Sequence, residues 1–207
     1  MSNISTLMGT QKLLPIIQVE NEQDGVSIAQ AMYAANLTTV EVVLRSARSP
    51  HTITAIKEVL PEMQVCAGTV LDKASLQTAI HAGADFIVTP TVSERLLTEL
   101  AQCSLPVLPG VASVSDVLLA KEFGYAEMKL FPASLAGGAA FLKAVSSLFP
   151  TVKFCPTGGV SQANFAEYLA LPNVFAAGGT WVANPSWVAA QEWAKITEAC
   201  AAASEAA

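Results

Sequence analysis

One lysine stands alone in an otherwise apolar stretch, Ala126-Glu127-Met128-Lys129-Leu130-Phe131-Pro132. The stretch reads as a short strand closed by a proline, with Gly124 and Tyr125 before it and Gly137-Gly138 after it. An ammonium buried without a partner is costly, so such a group tends to give up its proton. A neutral amine attacks carbonyl carbons and forms Schiff bases. The competing reading is a structural lysine that snorkels from a strand end or pairs with a carboxylate such as Glu127. A second segment, Thr38-Thr39-Val40-Glu41-Val42-Val43-Leu44-Arg45, alternates so that Glu41, Val43 and Arg45 share one face. A carboxylate in a dry interior is a candidate general base. Equally, Glu41 could be half of an ion pair that ties two strands together, with Lys129 as the other half. Arg45 suits a two-pronged grip on a substrate carboxylate, or is a solvated charge at a strand end.

Two glycine pairs add a third element. One lies in Pro156-Thr157-Gly158-Gly159-Val160 and the other in Ala176-Ala177-Gly178-Gly179-Thr180-Trp181. Glycine lets backbone amides approach an anion closely. The remaining lysines compete poorly with Lys129. Lys153 begins a strand at its entrance end and Lys12 precedes one, and Lys57, Lys73, Lys121, Lys143 and Lys195 fall in or beside helices, where they are expected to be solvated. The four cysteines, Cys66, Cys103, Cys155 and Cys200, form no CxxC pair, and His51 and His81 sit near no carboxylate cluster. No metal and no cofactor is expected, and the cysteines read as reduced residues of a cytoplasmic protein.

These groups need elements to hold them. Apolar runs alternate with longer amphipathic stretches along the chain, at a period of roughly 20 to 28 residues. The strand expectations are Leu13–Val19, Thr39–Leu44, Gln64–Val70, Phe86–Thr89, Pro106–Pro109, Glu127–Phe131, Lys153–Pro156 and Val174–Ala177. The helices are Asp24–Asn36, Pro50–Leu60, Lys73–Ala82, Ser93–Gln102, Val114–Phe123, Gly138–Leu148, Gln162–Leu169 and Pro185–Ala202. Ser93, Ser113 and Asn184 before Pro185 mark helix starts, and Gly83 and Gly124 mark helix ends. Eight repeats of strand and helix predict an α/β fold, a (β/α)8 TIM barrel, with a short extra N-terminal helix near Ser5–Gly9. An open doubly wound sheet is the competing fold. In a barrel, functional residues lie late in strands or in the loops after them, and the loops after strands 7 and 8 often bind phosphate. The polar and glycine-rich positions above fall there.

Composition sets outer limits. The 207 residues suit a single domain over residues 1–207, with 52% apolar and 14% charged residues. No apolar run spans a bilayer, and the N-terminus lacks the pattern of a secretory signal. A net charge of −6 without a basic block argues against nucleic acid and anionic membranes as partners.

The chain resembles the 2-keto-3-deoxy-6-phosphogluconate aldolase and 4-hydroxy-2-oxoglutarate aldolase family. The resemblance rests on EVVLR at Glu41–Arg45, CAGTVL at Cys66–Leu71, VTP at Val88–Pro90, PVLPGVAS at Pro106–Ser113, KLFPA at Lys129–Ala133, FCPTGGV at Phe154–Val160 and GGTW at Gly178–Trp181. It implies a class I, metal-free, Schiff-base aldolase on a (β/α)8 barrel that assembles as a homotrimer. The reaction implied is reversible cleavage of 2-keto-3-deoxy-6-phosphogluconate to pyruvate and glyceraldehyde 3-phosphate, as in the Entner-Doudoroff route, with 4-hydroxy-2-oxoglutarate giving pyruvate and glyoxylate. By this resemblance Lys129 forms the Schiff base, and Glu41 moves protons through a water. Arg45 and Thr69 hold the pyruvate carboxylate, with Pro90 packed beside it. Gly158, Gly159 and Thr180 bind phosphate, and Thr157 and Gly179 complete the substrate-binding set. Val43, Thr91 and Ser134 depart from the common pattern, where threonine, glycine and glutamate are frequent, and put the substrate rather than the reaction in question. Thr157 favours the gluconate form over the galactonate epimer, whose aldolase is the alternative. A phosphosugar isomerase would need paired bases or a metal set that the strand ends do not supply. A sugar-phosphate binding relative without activity is the remaining alternative, and the presence of both Lys129 and Glu41 argues against it.

Overall fold

The computed structural model describes residues 3–206. Its strands are β1 Leu13–Ile17, β2 Thr39–Val43, β3 Gln64–Gly68, β4 Phe86–Val88, β5 Val107–Leu108, β6 Gly110–Val111, β7 Glu127–Leu130, β8 Lys153–Pro156 and β9 Ala177–Gly179. Every pair between them is parallel. One sheet runs β5-β4-β3-β2-β1-β9 and a second runs β6-β7-β8. They are continuous through Pro109, where the chain leaves β4 as a partner and takes up β7. Proline has no N–H to give a ladder, so the strand breaks there, although the Pro109 carbonyl still accepts from Lys129 N at 2.8 Å. At the other side, Phe154 bridges Val174 and Thr157 bridges Gly178. The result is a curled parallel α/β sheet of the TIM-barrel kind.

The helices are α1 Ile4–Met8, α2 Glu22–Ala34, α3 Ser49–Val59, α4 Lys73–His81, α5 Glu94–Ala101, α6 Val114–Glu122, α7 Gly138–Ser146, α8 Phe165–Leu169, α9 Pro185–Ala189 and α10 Trp193–Glu205. Ser93 and Ser113 cap α5 and α6 by accepting from Leu96 N and Asp116 N, and Asn184 accepts from Ser186 N ahead of Pro185. Asp72 also caps, accepting from Ser75 N while the Ser75 hydroxyl serves the Asp72 amide. Hydrogen bonds from the Ser75 amide, and then from its hydroxyl, to the carboxylate favour the charged form and hold the Asp72 carboxyl below its ordinary range.

Apolar side chains divide into two bodies. The larger lies between sheet and helices, with Ile17, Val40, Val42 and Ile87 facing Met32, Ile53, Leu97 and Ile196. The smaller fills the inside of the sheet, where Leu14, Cys66, Phe86, Leu108 and Cys155 meet Ile4 and Met8 of α1. Helix α1 therefore packs into the smaller body. Its Ser5 amide donates to Glu127 Oε2 at 3.0 Å, and the Ser5 hydroxyl bonds the other carboxylate oxygen.

Four expectations need correction. The last strand is Ala177–Gly179, not Val174–Ala177, because its ladder to Leu14 and Pro15 is made by glycine backbone. Strand β3 stops at Gly68, because Thr69 turns to a φ of 65°. The final helix is two helices, parted where Gln191 takes a φ of 54°. Lys57 is not solvated: its Nζ lies 2.9 Å from Asp85 Oδ2 and donates to the Met63 carbonyl. Among the described residues no helix is long and apolar enough to cross a membrane.

Candidate active site

The two charges that sequence placed in the sheet interior meet there. Lys129 is 4% exposed and Glu41 is fully buried, and Lys129 Nζ lies 2.9 Å from Oε1 and 3.1 Å from Oε2. Lys129 is thus neither unpaired nor partnered by Glu127. Glu127 lies two residues earlier on the same strand face, below the site, and is engaged by Ser5 of α1. The aromatic ring of Phe131 lies beside the ammonium, with its centroid 5.3 Å from Nζ.

Removing one member of such a pair would strand the other as a lone buried charge, at a cost of roughly 3–5 kcal/mol. The pair is held from below as well. Cys66 on β3 is in register with Glu41, and Cys155 on β8 is in register with Lys129. Burial pushes the Cys155 thiol up to about 12, and Cys66 is raised well above its ordinary value by burial and then by the charge of Glu41. Both thiols stay protonated and unreactive. Gly68 on β3 leaves the room that Glu41 occupies: a Cβ there would overlap the carboxylate and lie 2.8 Å from its Cδ.

Above the pair opens a cavity of about 150 Å³. All ten sequence-derived site residues line it: Glu41, Arg45, Thr69, Pro90, Lys129, Thr157, Gly158, Gly159, Gly179 and Thr180. Arg45 is exposed at the rim and makes no ion pair among the described residues. Thr69 holds a φ of 65°, an outlier for a β-branched residue, of the kind found where a site fixes its backbone. Of the three departures, Val43 lines the cavity, whereas Thr91 and Ser134 do not.

The glycine loop after β8 has the character of an anion cradle. Gly158 and Gly159 take φ values of 89° and 78°, open to glycine and strained for other residues. The carbonyls of Thr157 and Gly158 accept from Ala133 N at 2.7 Å and Ser134 N at 3.0 Å. The amides of Gly159 and Val160 have no acceptor among the described residues. Free amides grouped with satisfied carbonyls attract an anion. Asn164 fixes the loop, accepting from Ser161 N at 2.8 Å and donating to Gly159 O at 3.0 Å.

Sequence reasoning missed Ile16, Gln18, Phe131 and Val160, which also line the cavity. Gln18 carried a signal, a polar residue after an apolar strand, on the same face as Leu14 and Ile16. Among the described residues no group of three or more His, Cys, Asp or Glu side chains is placed to hold a metal ion.

Residues 4–199 match the family model for the KDPG and KHG aldolases. The 2-dehydro-3-deoxy-phosphogluconate aldolase of Pseudomonas aeruginosa is 45% identical over 181 residues, 87% of this chain and 82% of the relative. The KHG/KDPG aldolase of Escherichia coli K12 is 37% identical over the same length, 87% of this chain and 85% of the relative. Among solved structures, the KDPG aldolase of Legionella pneumophila, with pyruvate captured as a covalent carbinolamine, superposes with a TM-score of 0.94 at 35% identity, covering 97% of this chain and 98% of that one. A buried Lys129–Glu41 pair beneath a glycine cradle, on a sheet matched end to end by these relatives, identifies the chain as a member of the KDPG and KHG aldolase family.

Proposed function

We propose that the protein is a class I aldolase that cleaves 2-keto-3-deoxy-6-phosphogluconate to pyruvate and glyceraldehyde 3-phosphate, and 4-hydroxy-2-oxoglutarate to pyruvate and glyoxylate. The observation that carries this reading is the buried contact of 2.9 Å between Lys129 and Glu41 on the floor of the cavity. At that distance the carboxylate can take a proton from the ammonium directly and free the amine. The amine adds to C2 of the ketoacid, Glu41 returns a proton as water leaves, and an imine remains on Lys129. Glu41, acting through a water, then takes the proton of the C4 hydroxyl. The C3–C4 bond breaks, the aldehyde departs, and the electron pair is held in the enamine. Protonation at C3 and hydrolysis release pyruvate and restore Lys129.

The other lining residues orient the substrate. Arg45 and Thr69 take the carboxylate of the pyruvate half, and Pro90 packs against it. Thr157, the Gly158 and Gly159 loop, Gly179 and Thr180 take the phosphate. Holding both ends fixes C2 against the amine, and positioning of this kind supplies a large share of the rate.

We read the curled sheet as a complete (β/α)8 barrel, with β5 and β6 as one strand and α1 as the extra helix, and the whole chain as one domain. We also infer a homotrimer, in line with the family resemblance. A cytoplasmic setting accords with the four cysteines, all free.

Borohydride reduction in the presence of pyruvate, followed by intact mass and peptide mapping, tests the reading. The expected result is a pyruvate-sized adduct on Lys129, absent from a folded Lys129→Met variant that has also lost turnover. A folded wild-type protein that yields no adduct, or activity surviving in Lys129→Met, would overturn it.

A further inference from the structure

The polar side chains lining the cavity are Gln18, Glu41, Arg45, Thr69, Lys129, Thr157 and Thr180. The mechanism employs all of them except Gln18. The substrate has one group left unattended, the C5 hydroxyl, which becomes the 2-hydroxyl of the aldehyde product. We propose that Gln18 is a specificity-determining residue that hydrogen-bonds this hydroxyl, so that the site selects 2-hydroxyaldehydes. The proposal rests on the aldolase reading above.

Its position fits. Leu14, Ile16 and Gln18 share the face of β1 turned to the sheet interior. Leu14 is fully buried in the inner apolar body, and Ile16 is in register with Glu41. Gln18, two residues further, stands about 6.6 Å nearer the mouth by strand rise. The substrate carbons beyond C4 run in that direction, from Lys129 toward the glycine cradle. The neighbouring walls offer nothing equivalent, because Ile16, Val43 and Val160 are apolar.

The carboxamide is also free to serve. It has no hydrogen-bond partner among the described residues and is exposed. A second cavity of about 230 Å³ shares Ile16, Gln18 and Thr180 with the first and continues past Glu20 and Pro185. Gln18 is therefore part of the wall between two spaces and is not wedged in packing. A carboxamide can donate or accept, and both match a hydroxyl.

The test is aldol addition of pyruvate to three acceptors: D-glyceraldehyde 3-phosphate, 3-oxopropyl phosphate (the same molecule without the 2-hydroxyl) and glyoxylate. Wild type should prefer the hydroxylated phosphate about tenfold in kcat/KM, as one hydrogen bond at a wet rim allows. Gln18→Leu should bring that ratio to about one while leaving glyoxylate within about twofold of wild type, because the group removed faces only the missing hydroxyl. A ratio unchanged in Gln18→Leu overturns the proposal, as does wild type without a preference. Loss of glyoxylate turnover in Gln18→Leu overturns it too, by assigning the residue to the common chemistry. Wild type inactive with all three acceptors overturns the aldolase reading, and this proposal with it.

Discussion

Adding one methyl group at Gly68 tests the Glu41–Lys129 geometry without touching either charge. Gly68 ends β3 in register with Val43 and lies outside the left-handed region, so its backbone accepts alanine. The obstacle is space. A Cβ there would lie 2.8 Å from Glu41 Cδ and 2.9 Å from its Cγ, and would overlap the near carboxylate oxygen. Carbon atoms rest at about 3.5–4.0 Å, so the side chain must retreat by roughly 1 Å. Overpacking of this kind costs about 1–3 kcal/mol. A displacement of about 1 Å at a reacting group costs on the order of 100-fold in rate. The expected outcome for Gly68→Ala is a urea midpoint lowered by that stability loss and a kcat lowered about 100-fold. Lys129 should still be labelled by pyruvate and borohydride. Pairing Gly68→Ala with Glu41→Asp supplies a control. The shorter acid relieves the overlap and should recover stability, yet it withdraws the carboxylate from Lys129, so kcat stays low. A folded Gly68→Ala enzyme with kcat within about threefold of wild type would refute the reasoning, since it would mean Glu41 does not need its present position.

Two further outcomes follow from the cradle and from the buried thiols. Gly159→Ala places a side chain at a φ of 78° and against Ser134, so it should cost about 1–2 kcal/mol. It should raise KM for the phosphorylated ketoacid about tenfold or more, while 4-hydroxy-2-oxoglutarate, which has no phosphate, is spared; equal effects on both substrates would count against the cradle. Burial pushes Cys155 and Cys200 from 9.0 up to about 12, so the folded chain keeps thiol protons that the unfolded chain releases. The corresponding stability is fully present below the ordinary thiol range and is lost as pH rises from about 9 toward about 12, at up to about 1.4 kcal/mol per pH step for each thiol. Urea midpoints measured at about pH 8 and about pH 10.5 should fall less in Cys200→Ala than in wild type, and parallel falls would contradict this.

How much of this was legible in sequence depended on whether the signal was a residue present or a space left open. Lys129 declared itself because a cation in an apolar strand is conspicuous, and strand alternation placed Glu41 on an inner face. Their contact did not follow from spacing: 88 positions separate them, and only the curl of the sheet brings β2 and β7 together. Whether Glu41 was a base or a structural partner stayed open in sequence for the same reason, and the geometry removes the opposition. A carboxylate that pairs the lysine at 2.9 Å is also the group able to take its proton. Sequence reasoning passed over Gln18, because its place beside a second cavity depends on the turn of the chain beyond β1. Strand β9 was misplaced toward Val174 because glycines carry no strand propensity. Yet those glycines are required. A Cβ at Gly178 would lie against the Thr157 hydroxyl, and one at Gly179 would overlap the ring of Trp181. Gly68 makes the same point in the interior, where Glu41 is positioned against Lys129 by the absence of a methyl group. Side chains name the chemistry of this site, and the residues without them set its distances.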